Sequence, residues 1–366
     1  MTGGPFRVIE GGRGDEPSAG LLIHGAAEVV TMAGGLRAGS AQGDVERLVR
    51  EDDPVVACWE GRLVAVGPRA EAEAALAAGG YQLGRFARLD ATGCTVTPGL
   101  VDPHTHLLFG GTREGELLLR QRGAGYLEIL EAGGGILSTV AATRAASDDE
   151  LAAHGRRWLD EMLSHGVTTI EAKSGYGLDL QTELRLVEIA WQLGLEGPVE
   201  IVPTYLGAHA VPPEFRSRPD GTEAYVRSIL EEQLPGIAAH GRARFCDVFC
   251  EEGVFSVDQS RRILEAAAAY GLTPRLHADE LAPSGGAQLA AELGAASADH
   301  LAAPSDAGID ALAEAAASDR PVVATLLPAT TWFLMSDHFA PARTLIDRDV
   351  PIALATDFNP GTSPTA

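Results

Sequence analysis

The pattern of hydrophobic and polar positions changes character near residue 95. Beyond that point, short apolar runs rich in β-branched residues alternate with longer segments of helical periodicity. Near-continuous apolar strands that alternate with helices are typical of a parallel sheet covered by helices. Eight such runs occur in the sequence, at 95–106, 167–174, 199–209, 242–251, 273–280, 297–301, 321–328 and 351–357.

The number of strands and the end of the first strand favour a barrel over an open sheet. Ser147 and Ser256 are each followed three positions later by Glu or Gln, a capping box that opens a helix, and these helices should end near Gly166 and Gly271. Eight strands close a (β/α)8 barrel. A doubly wound open sheet, the main alternative, is expected to carry a glycine-rich turn after its first strand, whereas this strand ends in Asp-Pro-His-Thr-His. We therefore predict an α/β fold with a TIM-type barrel over residues 96–366.

Residues 1–95 predict a second, smaller domain. The runs at 21–32 and 55–67 are β-type, and the second has a hairpin turn signal near its middle. Residues 68–79 predict a short helix, and the Gly-, Arg- and acid-rich stretch 33–54 predicts a loop. We expect a β-rich, sandwich-like unit with few strands.

Charge and cysteine content restrict the function. The 28 Lys and Arg residues against 51 Asp and Glu residues give a formal charge of −23. A surface this acidic repels phosphate backbones and anionic lipids, so we expect no nucleic-acid partner and no membrane partner. Four cysteines among 366 residues are too few for a disulfide framework. No apolar run reaches the roughly 18 residues of a membrane-spanning helix, and the N-terminus has no apolar export segment. We therefore expect a cytoplasmic protein.

Histidines and an aspartate stand at the C-terminal ends of the predicted barrel strands, the edge where barrel active sites are built. His104 and His106 lie two positions apart on one strand, so their imidazoles project from the same face. His277 ends the fifth strand, His300 the sixth and Asp357 the eighth. Three imidazoles and a carboxylate that converge on one point suit a divalent zinc or iron(II) ion with one position left for water.

Six segments around these residues carry a family resemblance. They are PGLVDPHTHLLFGGTRE (98–114), EAKSGYGL (171–178), PTYLGAHAVPPE (203–214), HADE (277–280), ADHL (298–301) and ATDFNPGTSPT (355–365). Together they resemble the imidazolonepropionase family of the metal-dependent amidohydrolase superfamily, from about residue 20 to the last residue. The PxHTH element and the aspartate of the eighth strand occur across the superfamily. The combination of GGTRE, KSGYGL, TYLGAHAVPPE and DFNPGTSPT is the specific part.

The resemblance implies a ligand set, a substrate and a reaction. One zinc or iron ion would be held by His104, His106, His277 and Asp357. The implied substrate contacts are Arg113, Tyr176, His209, Glu280, Asn359, Gly361 and Thr362. The implied reaction is the hydrolytic ring opening of the small molecule 4-imidazolone-5-propanoate to N-formimidoyl-L-glutamate in histidine degradation. Because the propionate tail is an anion, Arg113 would offer it a planar, two-pronged donor.

Three residues are candidates for the proton transfers of this reaction. Glu280 follows His277 by three positions, so its carboxylate could take a proton from water and pass it to the departing ring nitrogen. His300 could polarise the carbonyl or orient the water, and a role as partner of a ligand is the equal alternative. Asp357 could share the proton transfer. Lys173 ends the second strand, where some superfamily members bridge two metals with a carboxylated lysine; we favour a structural lysine and one ion.

The end of the chain departs from the family pattern. The chain stops nine residues past Asp357, whereas family members usually continue through an eighth barrel helix and return strands to the small domain. We expect those elements to be lacking and the first and last barrel strands to expose apolar surface. Two other functions stay open: another cyclic-amide hydrolase or deaminase on this scaffold, and a catalytically inactive truncated barrel used in assembly. Dimers are common in the superfamily, so a homodimer is a further expectation, although no sequence feature locates an interface.

Overall fold

Two structural units divide the chain in this computed structural model, which describes residues 8–9, 20–125, 128–129 and 133–365. The smaller unit extends to Arg37 and then takes Ala41–Pro98. The larger unit contains Ala38–Ser40 and everything from Gly99 onward.

The described part of the smaller unit contains two sheets and one α-helix. Its elements are β1 (Val8–Ile9), β2 (Gly20–His24), β3 (Glu28–Val30), β4 (Arg47–Val49), β5 (Pro54–Trp59), β6 (Arg62–Pro68), α1 (Arg69–Ala78), β7 (Phe86–Asp90) and β8 (Thr95–Val96). The strand orders are β1-β7-β2-β5-β6 in one sheet and β4-β3-β8 in the other. Strands β5 and β6 form the expected hairpin, and Glu60 and Gly61 both have the positive φ that a tight two-residue hairpin turn requires.

Apolar residues on both faces of the five-stranded sheet hold this unit together. Leu76 of α1 packs with Leu22, Ala57 and Phe86 on one side. On the other side, Val29 of the three-stranded sheet packs in one buried cluster with Val56 of the five-stranded sheet, so the two sheets share a core. The unit has more strands than the sequence predicts. Strands β1 and β7 lie outside the two predicted runs, and β4, only three residues long, lies inside the expected loop 33–54. So short a strand carries too little alternation to be recognised without its partner.

The larger unit is a parallel barrel with helices on its outside. Its strands are β9 (Leu100–Thr105), β10 (Val167–Lys173), β11 (Glu200–Ala208), β12 (Phe245–Cys250), β13 (Thr273–Ala278), β14 (Ser297–His300), β15 (Val323–Leu326) and β16 (Ile352–Leu354). Neighbours in sequence are hydrogen-bonded neighbours in the sheet, and every pair is parallel. The predicted α/β fold with a TIM-type barrel is confirmed.

The helices between the strands are also close to the sequence prediction. Those described are α2 (Gly115–Gln121), α3 (Ile136–Ala145), α4 (Asp148–Ser164), α5 (Leu180–Glu196), α6 (Pro213–Arg216), α7 (Gly221–Ser228), α8 (Leu234–His240), α9 (Val257–Ala269), α10 (Gly286–Leu293), α11 (Asp306–Ala316), α12 (Pro328–Phe333) and α13 (Ala342–Asp347). A π-helical turn, Ile229–Gln233, joins α7 to α8. Ser147 and Ser256 form both reciprocal hydrogen bonds of their capping boxes, at the starts of α4 and α9. None of the described helices is long and apolar enough to cross a membrane.

The barrel closes through the segment that follows β16. Thr105 and Phe358 form a parallel bridge. The backbone N–H of His106 donates to the carbonyl of Phe358 at 2.8 Å, and the N–H of Asp357 donates to the carbonyl of His104 at 3.0 Å. The closure therefore places Asp357 beside the two histidines of β9.

The first predicted strand differs from the structure in one respect. The run 95–106 is divided into β8 and β9 by Thr97–Gly99, so only its second half belongs to the barrel. Pro98, which lacks a backbone N–H, explains the interruption. Leu100, Val101 and Leu354 are 55%, 59% and 66% exposed, so the first and last barrel strands do present apolar side chains to solvent.

Candidate active site

The barrel fold brings the four expected metal ligands together at the C-terminal ends of its strands. His104 and His106 come from β9, His277 from β13, and Asp357 from the segment after β16. The Nε2 atoms of His104 and His106 each lie 3.4 Å from Oδ1 of Asp357. The rings of His104 and His277 have centroids 4.6 Å apart. The ligand atoms of His104, His106 and Asp357 all lie within 4.8 Å of one another, close enough to hold one ion. His277 forms groups of the same kind with His104 and His300, and with His106 and His209.

The donor set fits a metal ion because the converging atoms have no other partner. Nε2 of His104, Nε2 of His277 and Oδ1 of Asp357 are buried and accept or donate no hydrogen bond among the described residues. The other polar atom of each side chain, Nδ1 of the two histidines and Oδ2 of Asp357, has a hydrogen-bond partner. Buried polar atoms normally have a hydrogen-bond partner. Several nitrogen and oxygen atoms without one that converge on one point therefore indicate a site for a metal ion.

Each of these three ligands is oriented by a hydrogen bond from behind. Asp299 accepts from His104 Nδ1 at 2.7 Å, and Asp247 lies 3.0 Å from His277 Nδ1. The hydroxyl of Thr330 donates to Oδ2 of Asp357 at 2.6 Å. Partners of this kind fix the tautomer and direction of a ligand. Sequence reasoning missed all three orienting residues; the one available signal was the position of Asp299 directly before His300.

A buried basic pair balances the orienting carboxylates. Lys173 Nζ donates to Asp247 at 2.6 Å and to Glu171 at 3.0 Å. Arg275 donates to Asp299 at 2.9 Å. Burial by itself lowers the pKa of Lys173, but the carboxylates of Asp247 and Glu171 reverse this and raise the pKa above its usual value. Lys173 is therefore a charged member of a buried ion network.

The electrostatics of the ligands follow from burial and from these contacts. Burial and the Lys173 ammonium lower the pKa of His104, but its hydrogen bond to Asp299 and the nearby Asp357 raise the pKa to about 9. Burial raises the pKa of Asp357, yet the adjacent imidazoles hold it well below its usual range. The carboxylate of Asp357 is thus ionised, as a metal ligand must be.

Two residues of the site have a left-handed backbone conformation that non-glycine residues rarely adopt. The φ angle is 75° at His300 and 53° at Asp357. Both stand where a barrel strand gives way to the following loop. Such strain is tolerated where surrounding contacts hold it in place, and it is enriched at functional sites.

A cavity opens beside the ligand cluster. Three ligands line it together with nine further residues: Arg113, Ile136, Tyr176, His209, Phe249, Glu280, His300, Asn359 and Thr362. The structure therefore brings all but two of the expected site residues to this cavity. His104 lies deeper, fully buried beneath it, and Gly361 lies against Arg113.

Glu280 and His300 are neighbours in the cavity lining. Oε2 of Glu280 lies 3.7 Å from Nε2 of His300. Burial, together with the charges of Asp357 and Glu251, raises the pKa of Glu280 well above its usual value. Burial lowers the pKa of His300 well below its usual value. Burial therefore favours the protonated form of Glu280 and the neutral form of His300.

Tyr176 and His209 form one wall of the cavity. His209 stacks on His106, with ring centroids 4.9 Å apart and an interplanar angle of 14°. Its Nδ1 donates to the carbonyl of Gly175 at 2.9 Å, which leaves Nε2 as a hydrogen-bond acceptor. Burial and the neighbouring imidazoles keep the pKa of His209 well below its usual value. Tyr176 is 1% exposed, with its ring centroid 5.3 Å from that of His209.

Arg113 forms the cationic end of the cavity, and the loop after β16 supports it. Its Nε and Nη2 donate to Oε2 of Glu116. A side chain at Gly361 would overlap the guanidinium, so only glycine permits this packing. Asn359 binds the backbone N–H groups of Gly361 and Thr362 through Oδ1. Its amide nitrogen donates within the same loop, so Asn359 shapes the loop beneath the cavity.

Curated relatives match nearly the whole chain, although no protein-family model does. An imidazolonepropionase of Geobacillus thermodenitrificans is 50% identical over 345 residues, which are 94% of this chain and 78% of the relative. One of Alkaliphilus metalliredigens is 48% identical over 348 residues, with the same coverage. The chain belongs to the imidazolonepropionase family.

Solved structures of other enzymes share the barrel fold of this imidazolonepropionase-family chain. An adenosine deaminase from Xanthomonas campestris with bound zinc superposes with a TM-score of 0.55 at 19% identity, over 94% of this chain and 70% of that chain. An atrazine chlorohydrolase from Arthrobacter aurescens complexed with zinc gives 0.61 at 16% identity, over 94% and 74%. At these identities the likeness establishes the fold alone, a TIM-type barrel.

Proposed function

We propose that this chain is a hydrolase of cyclic amide C–N bonds that opens 4-imidazolone-5-propanoate to N-formimidoyl-L-glutamate, in histidine degradation. Family membership at about half identity supports the activity. The observation that carries the proposal is the set of orphaned ligand atoms at the base of a cavity whose far end is Arg113. A catalytically inactive barrel is disfavoured, because none of the four ligand positions has been lost.

One divalent ion, zinc or iron(II), would be held by His104, His106, His277 and Asp357. When bound, such an ion lowers the pKa of a water molecule and polarises a carbonyl oxygen. The orienting hydrogen bonds of Asp299, Asp247 and Thr330 direct the ligand atoms toward one point.

Glu280 is the group best placed to move protons. Its carboxyl lies in the cavity wall, and its raised pKa lets it hold a proton taken from the attacking water. It can then deliver that proton to the departing ring nitrogen. Neutral His300 offers a hydrogen bond to the carbonyl oxygen as charge develops there.

The remaining cavity residues bind and orient the substrate. Arg113 provides a forked, permanently charged donor for the propionate tail. His209 offers Nε2 as an acceptor for a ring N–H, and Tyr176 packs beside it. Arg113 therefore favours a carboxylate-bearing ring over the neutral bases that a deaminase would take.

A ring-opening assay with a matched metal analysis tests the proposal. We expect about one zinc or iron per chain, turnover of imidazolone propionate, loss of turnover with a chelator and recovery when the metal is restored. The variant Glu280→Gln should lower kcat by about 10²-fold or more while leaving metal content unchanged. Turnover that survives complete removal of metal would refute the proposal.

A further inference from the structure

We propose that Glu116 and Arg120 are positioning residues that give the cavity its selectivity for a ring ligand with a carboxylate tail. The inference rests on the proposed function, in which Arg113 binds that tail. Neither residue lines the catalytic cavity; both would act through Arg113 and through the loop after β16.

One carboxylate oxygen holds both arginines in place. Oε2 of Glu116 accepts from Arg113 Nε at 3.1 Å, from Arg113 Nη2 at 3.0 Å and from Arg120 Nη2 at 2.9 Å. With its Nε–Nη2 edge turned toward Glu116, the guanidinium of Arg113 has a single orientation relative to the cavity that it lines. Fixing the plane of the guanidinium also fixes the direction of its other fork, Nη1–Nη2, which is what two-pronged recognition of a ligand carboxylate requires.

The same side chains tie together two further parts of the cavity wall. Oε1 of Glu116 accepts from the backbone N–H of Gly135 at 2.7 Å, directly before the cavity residue Ile136. Nη1 of Arg120 donates to the carbonyl of Gly361 at 2.8 Å, on the loop that packs against Arg113. Glu116 and Arg120 thus join the loop after the first barrel strand to the loop after the last.

Because Arg113, Arg120 and Glu116 are buried, each of their charges needs its hydrogen-bonded partner. Arg113 and Arg120 are 6% exposed and Glu116 is 8% exposed. Charged groups removed from water to this extent persist only when they are paired and hydrogen-bonded. Neutralising Glu116 will therefore reorient Arg113, and ligands that need the guanidinium will be the ones to lose affinity.

The test compares two ligands that share an imidazole ring and differ in the tail. Imidazole propionate carries the carboxylate and 4-methylimidazole lacks it. A substitution that disturbs binding of the ring or of the metal should therefore weaken both ligands alike. With Glu116→Gln in the metal-loaded enzyme, we expect the affinity for imidazole propionate, measured by calorimetric titration, to fall about tenfold. The affinity for 4-methylimidazole should change less than about twofold, and KM should rise more than kcat falls.

Glu114→Gln is the matched control, since Glu114 is an exposed carboxylate two positions away; it should leave both affinities unchanged. Equal weakening of both ligands in Glu116→Gln would overturn the inference and show a merely structural role. If that variant does not fold, Arg120→Lys replaces it, and an unaltered tail preference there would equally overturn the inference. A wild-type enzyme with no preference for the tail would instead contradict the role of Arg113 in the proposed function.

Discussion

At the scale of single residues, the hydroxyl of Thr330 decides how Asp357 presents its carboxylate. It donates to Oδ2 at 2.6 Å, while Oδ1 has no hydrogen-bond partner among the described residues and faces the histidines. The hydroxyl therefore selects which oxygen is available to an ion. It also satisfies an oxygen that burial would otherwise leave without a partner.

We predict that Thr330→Val weakens binding of zinc by about tenfold, because an orienting partner of a ligand typically contributes that much or more. Competition with a chelator of known affinity measures the change. Thr330→Ser keeps the hydroxyl and should retain wild-type affinity.

Thr331→Val provides the control for this prediction. In the part of the chain that the structure describes, the Thr331 hydroxyl donates to the carbonyl of Leu327, at the start of its own helix, and not to a metal ligand. If the valine variants at 330 and 331 bind zinc equally well, the orienting role of Thr330 is wrong.

At the scale of elements, α5 anchors the loop that carries Tyr176. The carboxylate of Glu183 is fully buried and accepts from the backbone N–H groups of Gly175, Gly177 and Leu178 at 2.9, 2.7 and 2.8 Å. The carbonyl of Gly175 in turn accepts from His209. A helix on the outside of the barrel thus holds one wall of the cavity.

We predict that Glu183→Gln lowers the free energy of unfolding by about 1–3 kcal/mol, since an amide cannot replace a carboxylate that accepts from three buried donors. Urea denaturation measures this loss, and KM should rise in parallel because Tyr176 and His209 move. Glu196→Gln, at the exposed end of the same helix, removes only a surface ion pair with Arg156 and should change stability by less than about 1 kcal/mol. Equal effects of the two substitutions would contradict the anchoring role.

At the scale of the whole barrel, the ligands bridge its first and last strands. His104 and His106 belong to β9 and Asp357 to the segment after β16, where the sheet closes through the bridge between Thr105 and Phe358. An ion held by these residues links the two ends of the sheet.

We predict that zinc at about 100 times its Kd raises the Tm by roughly 4–8 °C, because binding to the folded state alone contributes about 2.7 kcal/mol. Differential scanning calorimetry with and without chelator measures the shift. The variant Asp357→Asn should lose most of it. An undiminished shift in that variant would mean that the stabilising ion binds elsewhere.

The local pattern was enough to predict the architecture and the histidines and aspartate at the strand ends, whereas most of the other side chains that line the cavity were predicted only from the family resemblance. Alternation of apolar runs and helical segments identifies the barrel, and the two-residue spacing of His104 and His106 directs both to one face. Capping boxes at Ser147 and Ser256 located two helix starts. Each of these signals spans only a few neighbouring residues, so local backbone geometry is enough to interpret it.

The tertiary structure alone decided which groups support that cavity. Asp299 meets His104 across 195 positions of sequence, and Arg120 meets Gly361 across 241. An aspartate or threonine has the same local signature on a surface as behind a metal ligand. Only closure of the barrel, which brings the ends of distant strands within hydrogen-bond distance, distinguishes these residues from ordinary polar ones.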